Sequence, residues 1–161
     1  MQATRIVAEE VLPMLTDAVL AILHHLLAFA LAIVLTMEIM LMRRDISGGR
    51  LTYLSRLDIA FGVIAAGILV IGIGRVFYGL RGPQYYVANE FFWAKMAAFL
   101  AVGLLSIRPT ISIIRWRASV RANPQFQPQP DEVMTARRFM HGEAMLFTLI
   151  PVFAALMARY G

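Results

Sequence analysis

The sequence predicts an all-α integral membrane protein, an up-and-down four-helix bundle with both termini on the outer side. Three observations carry that reading. The chain of 161 residues is 60% hydrophobic and only 16% charged, with a mean hydropathy of +0.69, too apolar for a soluble domain of this size. Its apolar residues fall into four stretches, each near the ~20 residues a helix needs to cross a bilayer. Its arginines collect in the connections between those stretches, as topology demands.

Met1–Asp17 carries Arg5 but also Glu9, Glu10 and Asp17. The apolar run behind it is too long for a signal peptide and lacks a small-residue cleavage pattern, so a retained helix is expected. Span one covers about 18–42 and ends at Arg43-Arg44-Asp45, ahead of the turn signal Gly48-Gly49. Span two, about 59–80, carries glycines at 62, 67, 72, 74 and 79, which permit close helix approach. Span three covers about 91–114, with Pro109 as a bend or end. Residues 116–136 contain Pro124, Pro128 and Pro130 among glutamines and read as a polar loop. Span four, about 139–158, holds Pro151, which a packed bundle accommodates as a kink. The four spans make one transmembrane domain over residues 1–161.

Arginine placement orients the chain. Arg43, Arg44, Arg50 and Arg56 flank the first connection; Arg115, Arg117, Arg121, Arg137 and Arg138 flank the third. Only Arg5, Arg75, Arg81 and Arg159 belong to the opposite side. The positive-inside rule places the nine in the cytoplasm and the termini outside; with a bacterial source assumed, the membrane is the inner one. This pattern also accounts for the net charge of +5 without nucleic acid. With no cysteine, thiolate zinc sites, iron–sulfur clusters and disulfides are excluded.

Against this background one residue stands out. Lys95 is the only lysine, and it lies four positions inside an apolar span. A charge at membrane depth costs roughly 2.5–3.5 kcal/mol on insertion scales and usually has a partner or a task. His24 and His25 sit at a matching depth in span one, roughly 6–9 Å from its outer end at 1.5 Å per residue. Arg75 closes its apolar run on the same side. Together these four form an outer polar layer. Glu38 follows His24 by nearly four whole turns, so they share a face, and His25 is rotated by about 100° from it. A second layer near the inner ends comprises Glu38, Asp58, Arg108, His141 and Glu143.

Plainer readings exist for each group. Lys95 can snorkel to the interface, and His24 can be a hydrogen-bonded packing residue. The inner layer can be an interfacial ion-pair network, and Tyr85, Tyr86, Phe91, Phe92 and Trp93 an aromatic belt. The functional reading is haem. A haem iron takes axial nitrogen or sulfur ligands from facing helices. His24 supplies an imidazole, and the second ligand is a neutral Lys95 amine, a methionine or none. Alternatively Lys95 and Arg75 pair with propionates.

Three segments resemble the HemJ-type protoporphyrinogen IX oxidases, small four-span bacterial membrane proteins. Ala21–Phe29 (AILHHLLAF) looks like the first-helix leucine–histidine motif, Phe92–Leu100 (FWAKMAAFL) like the third-helix lysine segment, and Arg138–Glu143 (RFMHGE) like the start of the last helix. The chain departs from that family at Thr36–Met40, where a proline–arginine pair is usual, and at Gly142, where asparagine is usual. The resemblance implies haem b on His24, an essential Lys95 and a functional Glu143. A second resemblance spans more of the chain. Arg75–Gly82 (RVFYGLRG), Phe92–Lys95 and Ser106–Thr110 (SIRPT) look like a bacterial four-span membrane family to which no activity attaches.

The expected function is therefore a haem-b-binding membrane redox protein, a porphyrinogen oxidase or electron-transfer cytochrome. Its iron ligand is His24, and its cofactor-binding residues are His24, His25, Lys95 and Arg75. Lys95, Glu143 and Glu38 are its catalytic candidates, the glutamates as proton relays. The lipid bilayer, a tetrapyrrole, a quinone acceptor and further copies in a homo-oligomer are its expected partners. Two other classes compete: a small transporter or channel module gated by the two layers, and a non-enzymatic scaffold subunit docking through span two.

Overall fold

The computed structural model describes residues 2–160. Five helices follow one another: α1 (Gln2–Leu41), α2 (Gly48–Tyr78), α3 (Gly82–Ala88), α4 (Glu90–Ala122) and α5 (Pro130–Tyr160). Four of them are long and apolar enough to cross a membrane. Among the described residues there is no strand. An all-helical bundle is what a bilayer requires of such a chain, because a helix satisfies its own backbone polar groups where no water can.

The four long helices form two antiparallel hairpins. α1 packs chiefly on α2 and α4 chiefly on α5, while α2 meets α4 across the seam between the hairpins. The α1–α2 and α4–α5 turns lie at the same end, where a Cβ on Gly48 would come within 4.0 Å of the Pro124 carbonyl oxygen. The two groups of arginine-rich connections therefore share one end of the bundle. α3 joins the hairpins at the other end. Of the arginines assigned to the sparse side, Arg5 lies outside the residues whose side chains are described.

Each helix stops for a visible reason. After α1 the chain turns through Met42–Ser47, with Ile46 N–H donating to the Arg43 carbonyl at 3.0 Å. Gly48 then enters α2 at φ +48°, a left-handed conformation that glycine adopts without the Cβ penalty. Gly82 does the same before α3 at φ +70°. Asn89 starts α4: its side-chain oxygen accepts from the Phe91 N–H at 2.9 Å, an N-cap interaction worth about 1 kcal/mol. Pro130 opens α5, a position where its missing N–H costs nothing.

Three helices run past the apolar spans. α2 begins at Gly48 rather than near 59, α4 continues to Ala122, and α5 starts at Pro130. The coil between α4 and α5 is only residues 123–129, so most of the stretch read as a polar loop is helical. The physical reason is amphipathicity. Beyond the lipid-matched length, Leu51, Leu54, Trp116 and Val133 turn inward and are buried to 1% exposure or less, while Arg50, Arg115, Arg121 and Arg138 face out. A hydropathy window averages those faces and misses the helix. Pro109 and Pro151 both lie within helices without ending them.

The core is concentrated at the arginine-rich end. Met42, Ile46, Leu51, Leu54, Ile113, Trp116, Val133 and Met140 are each at most 1% exposed. The Trp116 indole N–H donates to Glu132 across α4 and α5 at 3.2 Å. The opposite end is not filled in this way, and there the helices leave a cavity.

Candidate functional site

The cavity lies between α1, α2 and α4, with α5 contributing Ile150 and Met157. Its volume is about 110 Å³. Three polar side chains reach it from three helices: His24 from α1, Arg75 from α2 and Lys95 from α4. The remaining walls are apolar or aromatic, including Ile68, Leu69, Tyr86, Phe92, Met96 and Phe99. Among the described residues, no carboxylate lines it.

Each polar group has a local reason for its position. On α2, Ile68, Gly72 and Arg75 follow at helical spacing and present one face. Gly72 makes the room for His24: a Cβ there would stand 3.4 Å from His24 Cε1. Lys95 follows Phe92 by one turn of α4, and its Nζ sits over the Phe92 ring, 5.3 Å from the centroid. That contact contributes about 0.5–1 kcal/mol at exposed sites and about 2 when desolvated. His24, Arg75 and Lys95 are close enough for their charges to interact.

What these groups lack is as informative. His24 Nδ1 and Arg75 Nε are buried without a hydrogen-bond partner. Among the described residues, the ion pair within 4.0 Å is Asp45–Arg50 in the first connection, so neither Lys95 nor Arg75 is paired with a described carboxylate. Two cations and an imidazole in an apolar cavity without an anion make a receptor for one, because an unpaired buried charge is costly.

The structure brings together three of the four residues of the outer layer. His25 is turned away: it is exposed, and its Nδ1 lies 2.6 Å from the Ala21 carbonyl oxygen in its own helix. The two rings stand edge to face, 6.3 Å apart at 85°. Only His24 reaches the cavity.

The second layer separates in the same manner. Glu38 and Glu143 are each 2% exposed, and Oε1 of each is buried without a partner. Asp58 is their electrostatic neighbour and accepts from the Thr110 hydroxyl at 2.7 Å. α1, α2, α4 and α5 thus each contribute one residue to this polar cluster. Arg108 and His141 do not join it. Arg108 is exposed and lies over Phe139, 5.6 Å from the ring centroid, and His141 is exposed with Nδ1 2.8 Å from the Arg137 carbonyl oxygen. Among the described residues, no three acidic or histidine side chains are grouped to hold a metal ion.

Sequence reasoning missed the cavity's aromatic end. Tyr86 belongs to α3 rather than to an interfacial belt; it is 6% exposed and packs against Phe92 with centroids 5.6 Å apart. Its neighbour Tyr85 donates its hydroxyl to the Met157 carbonyl at 2.8 Å, tying α3 to α5. The pair Gly82-Pro83 ahead of the tyrosines is the signal that could have revealed a short helix there. Met96, Phe99 and Met157 carry no sequence signal that separates them from ordinary core.

Among curated proteins and among solved structures, nothing matches this chain. A family model does, over residues 16–161, which include every group in both layers. The chain belongs to that family, described as predicted membrane protein (DUF2214).

Proposed function

We propose that this membrane protein binds haem b in the cavity between α1, α2 and α4 and acts as a redox protein, either a porphyrinogen oxidase of the HemJ kind or an electron-transfer cytochrome. One observation carries the reading: an imidazole and two cations without a described acidic partner converge on one apolar, partly aromatic cavity. Haem combines the matching features, an apolar ring, an iron that takes nitrogen ligands, and two carboxylates. The unpartnered Nδ1 of His24 would hold the iron. Arg75 and Lys95 fit propionates, and Lys95, Met96 or Met157 can supply a second ligand. Bound haem would supply one-electron chemistry. The chain's residues would hold it, exclude water and carry protons, with Glu38 and Glu143 as the carriers.

At about 110 Å³ the cavity is smaller than the ~300–1,000 Å³ usual for small-molecule sites. A groove of about 440 Å³ adjoins it through the shared walls Leu69 and Phe99, so the space continues toward the lipid. We assign the arginine-rich end to the cytoplasm, which puts the cavity near the outer face of a bacterial inner membrane and both termini outside. Quinone as electron acceptor and assembly into a homo-oligomer belong to the same reading.

The test is an absorption spectrum of gently purified protein, oxidised and dithionite-reduced, with haem quantified per chain. A Soret band with reducible α and β bands is expected, at one haem per chain or per dimer. His24→Ala should abolish or shift it, and Lys95→Ala should weaken it. A protein that stays colourless with haem supplied during expression refutes the reading and favours transport or scaffolding. Unchanged spectra in both variants would refute the site.

A further inference from the structure

The groove beside the cavity runs between α2 and α4, the seam where the two hairpins meet. Its floor is buried Leu31, Phe61 and Val102. Its middle is made of small residues, Gly62, Ala65 and Ala66 on α2 with Gly103 and Ser106 on α4. A Cβ added to Gly62 or to Gly103 would meet nothing within 4 Å, so each glycine opens on empty space. Both are exposed on the outer surface of the bundle. One end of the groove merges with the cavity at Leu69 and Phe99. The other stops at Asp58 and Thr110.

The end of the bundle nearest the cavity is covered. α3 lies there, with Tyr86 buried in the cavity wall and Tyr85 bonded to the end of α5. Among the described residues, the way in that remains is lateral. The charges point in the same direction: the groove leads to Arg75 and Lys95, which attract an anion.

We propose that the cavity is filled sideways from the bilayer, along the α2–α4 groove, by an apolar ligand whose anionic end is drawn to Arg75 and Lys95. The proposal rests on the haem reading and takes haem dissolved in lipid as the occupant. It makes the groove a portal, and the small residues along it a requirement of entry. Neither Gly62 nor Gly103 lines the cavity itself, and a haem at rest there would extend into the groove only at its Leu69 and Phe99 end.

The test is the rate of haem uptake. Protein in proteoliposomes is mixed with haem-loaded donor vesicles, and growth of the bound Soret band is followed. Gly62→Leu and Gly103→Leu place a side chain in the portal, while Gly49→Leu, also open and at the far end of α2, is the control. Both portal variants should slow uptake by about tenfold or more, the effect of one extra 1.4 kcal/mol in a barrier. Final haem content and spectrum should equal those of the unaltered protein and the control. Unchanged rates with normal final haem overturn lateral entry and leave the haem site standing. Loss of final haem in a helical, monodisperse variant also overturns it, because the groove would then belong to the bound state. If Tyr86→Ala accelerates uptake while the portal variants do nothing, entry is from the aqueous end. Unaltered protein that takes up no haem defeats the haem reading and the portal with it.

Discussion

Replacing Lys95 by methionine should stabilise the ligand-free protein while weakening the proposed binding of haem. Lys95 is mostly buried on a membrane helix and has no acidic partner among the described residues. Its insertion costs roughly 2.5–3.5 kcal/mol relative to an apolar residue at the centre of a span, which is an upper value four positions from the end. The Phe92 ring under its ammonium, 5.3 Å away, returns about 1 kcal/mol. Like charge on Arg75 adds a further penalty of the same sign as the first. Methionine matches the length of the stem and packs readily among Met96, Phe99 and Met157. The balance is a gain of about 1–2 kcal/mol for Lys95→Met without ligand, from these same terms. Reversible unfolding in mixed micelles, followed by helicity, measures it, and haem content of the same preparation reports the site. A loss of more than about 1 kcal/mol in the ligand-free protein would refute the reasoning. It would mean that Lys95 is held by a counter-charge and that the cavity is not short of an anion.

Other perturbations have equally definite outcomes. Gly72→Val places branched carbon where a Cβ already comes within 3.4 Å of His24 Cε1; the His24 ring should rotate, altering the haem spectrum, with a stability loss of about 1–3 kcal/mol from overpacking. Trp116→Ala removes the largest fully buried side chain and its bond to Glu132, and should cost about 3–5 kcal/mol in the same micelle assay. Thr110→Val deletes the 2.7 Å bond to Asp58 and should cost about 1.5–3 kcal/mol, the usual value for a bond to a charged acceptor. Asn89→Ala should cost about 1 kcal/mol and fray the start of α4, seen as faster amide exchange at Phe91 and Phe92.

Much of the site was legible because depth and helical phase are both linear in residue number. Lys95 was conspicuous as the sole lysine, and a rise of 1.5 Å per residue brought His24 to its level. A phase difference of about 100° separated His24 from His25, and the structure turns the second ring to its own backbone. The same arithmetic put Glu38 on the His24 face, where it is buried. Arg108 and His141 were legible in depth, and phase could have excluded them: Arg108 lies about 220° around α4 from Lys95 and His141 about 200° around α5 from Glu143, so neither shares the inward face.

The all-helical class and four spans follow from composition and hydropathy, since a bilayer admits little else to a chain this apolar. That the two arginine-rich connections lie together follows from short links between antiparallel spans. Tertiary structure decided the rest. Only packing shows that α4 and α5 continue as helices beyond the lipid-matched length, because Trp116 and Val133 are inward only if both helices extend. Only packing makes α3 a cover over the cavity rather than a loop. The cavity exists because the two hairpins close tightly at the arginine-rich end and not at the other, and the groove beside it exists because glycine, alanine and serine line the seam between α2 and α4. A sequence lists those small residues, but the space they leave depends on which helix each one faces, and that is a property of the assembled bundle.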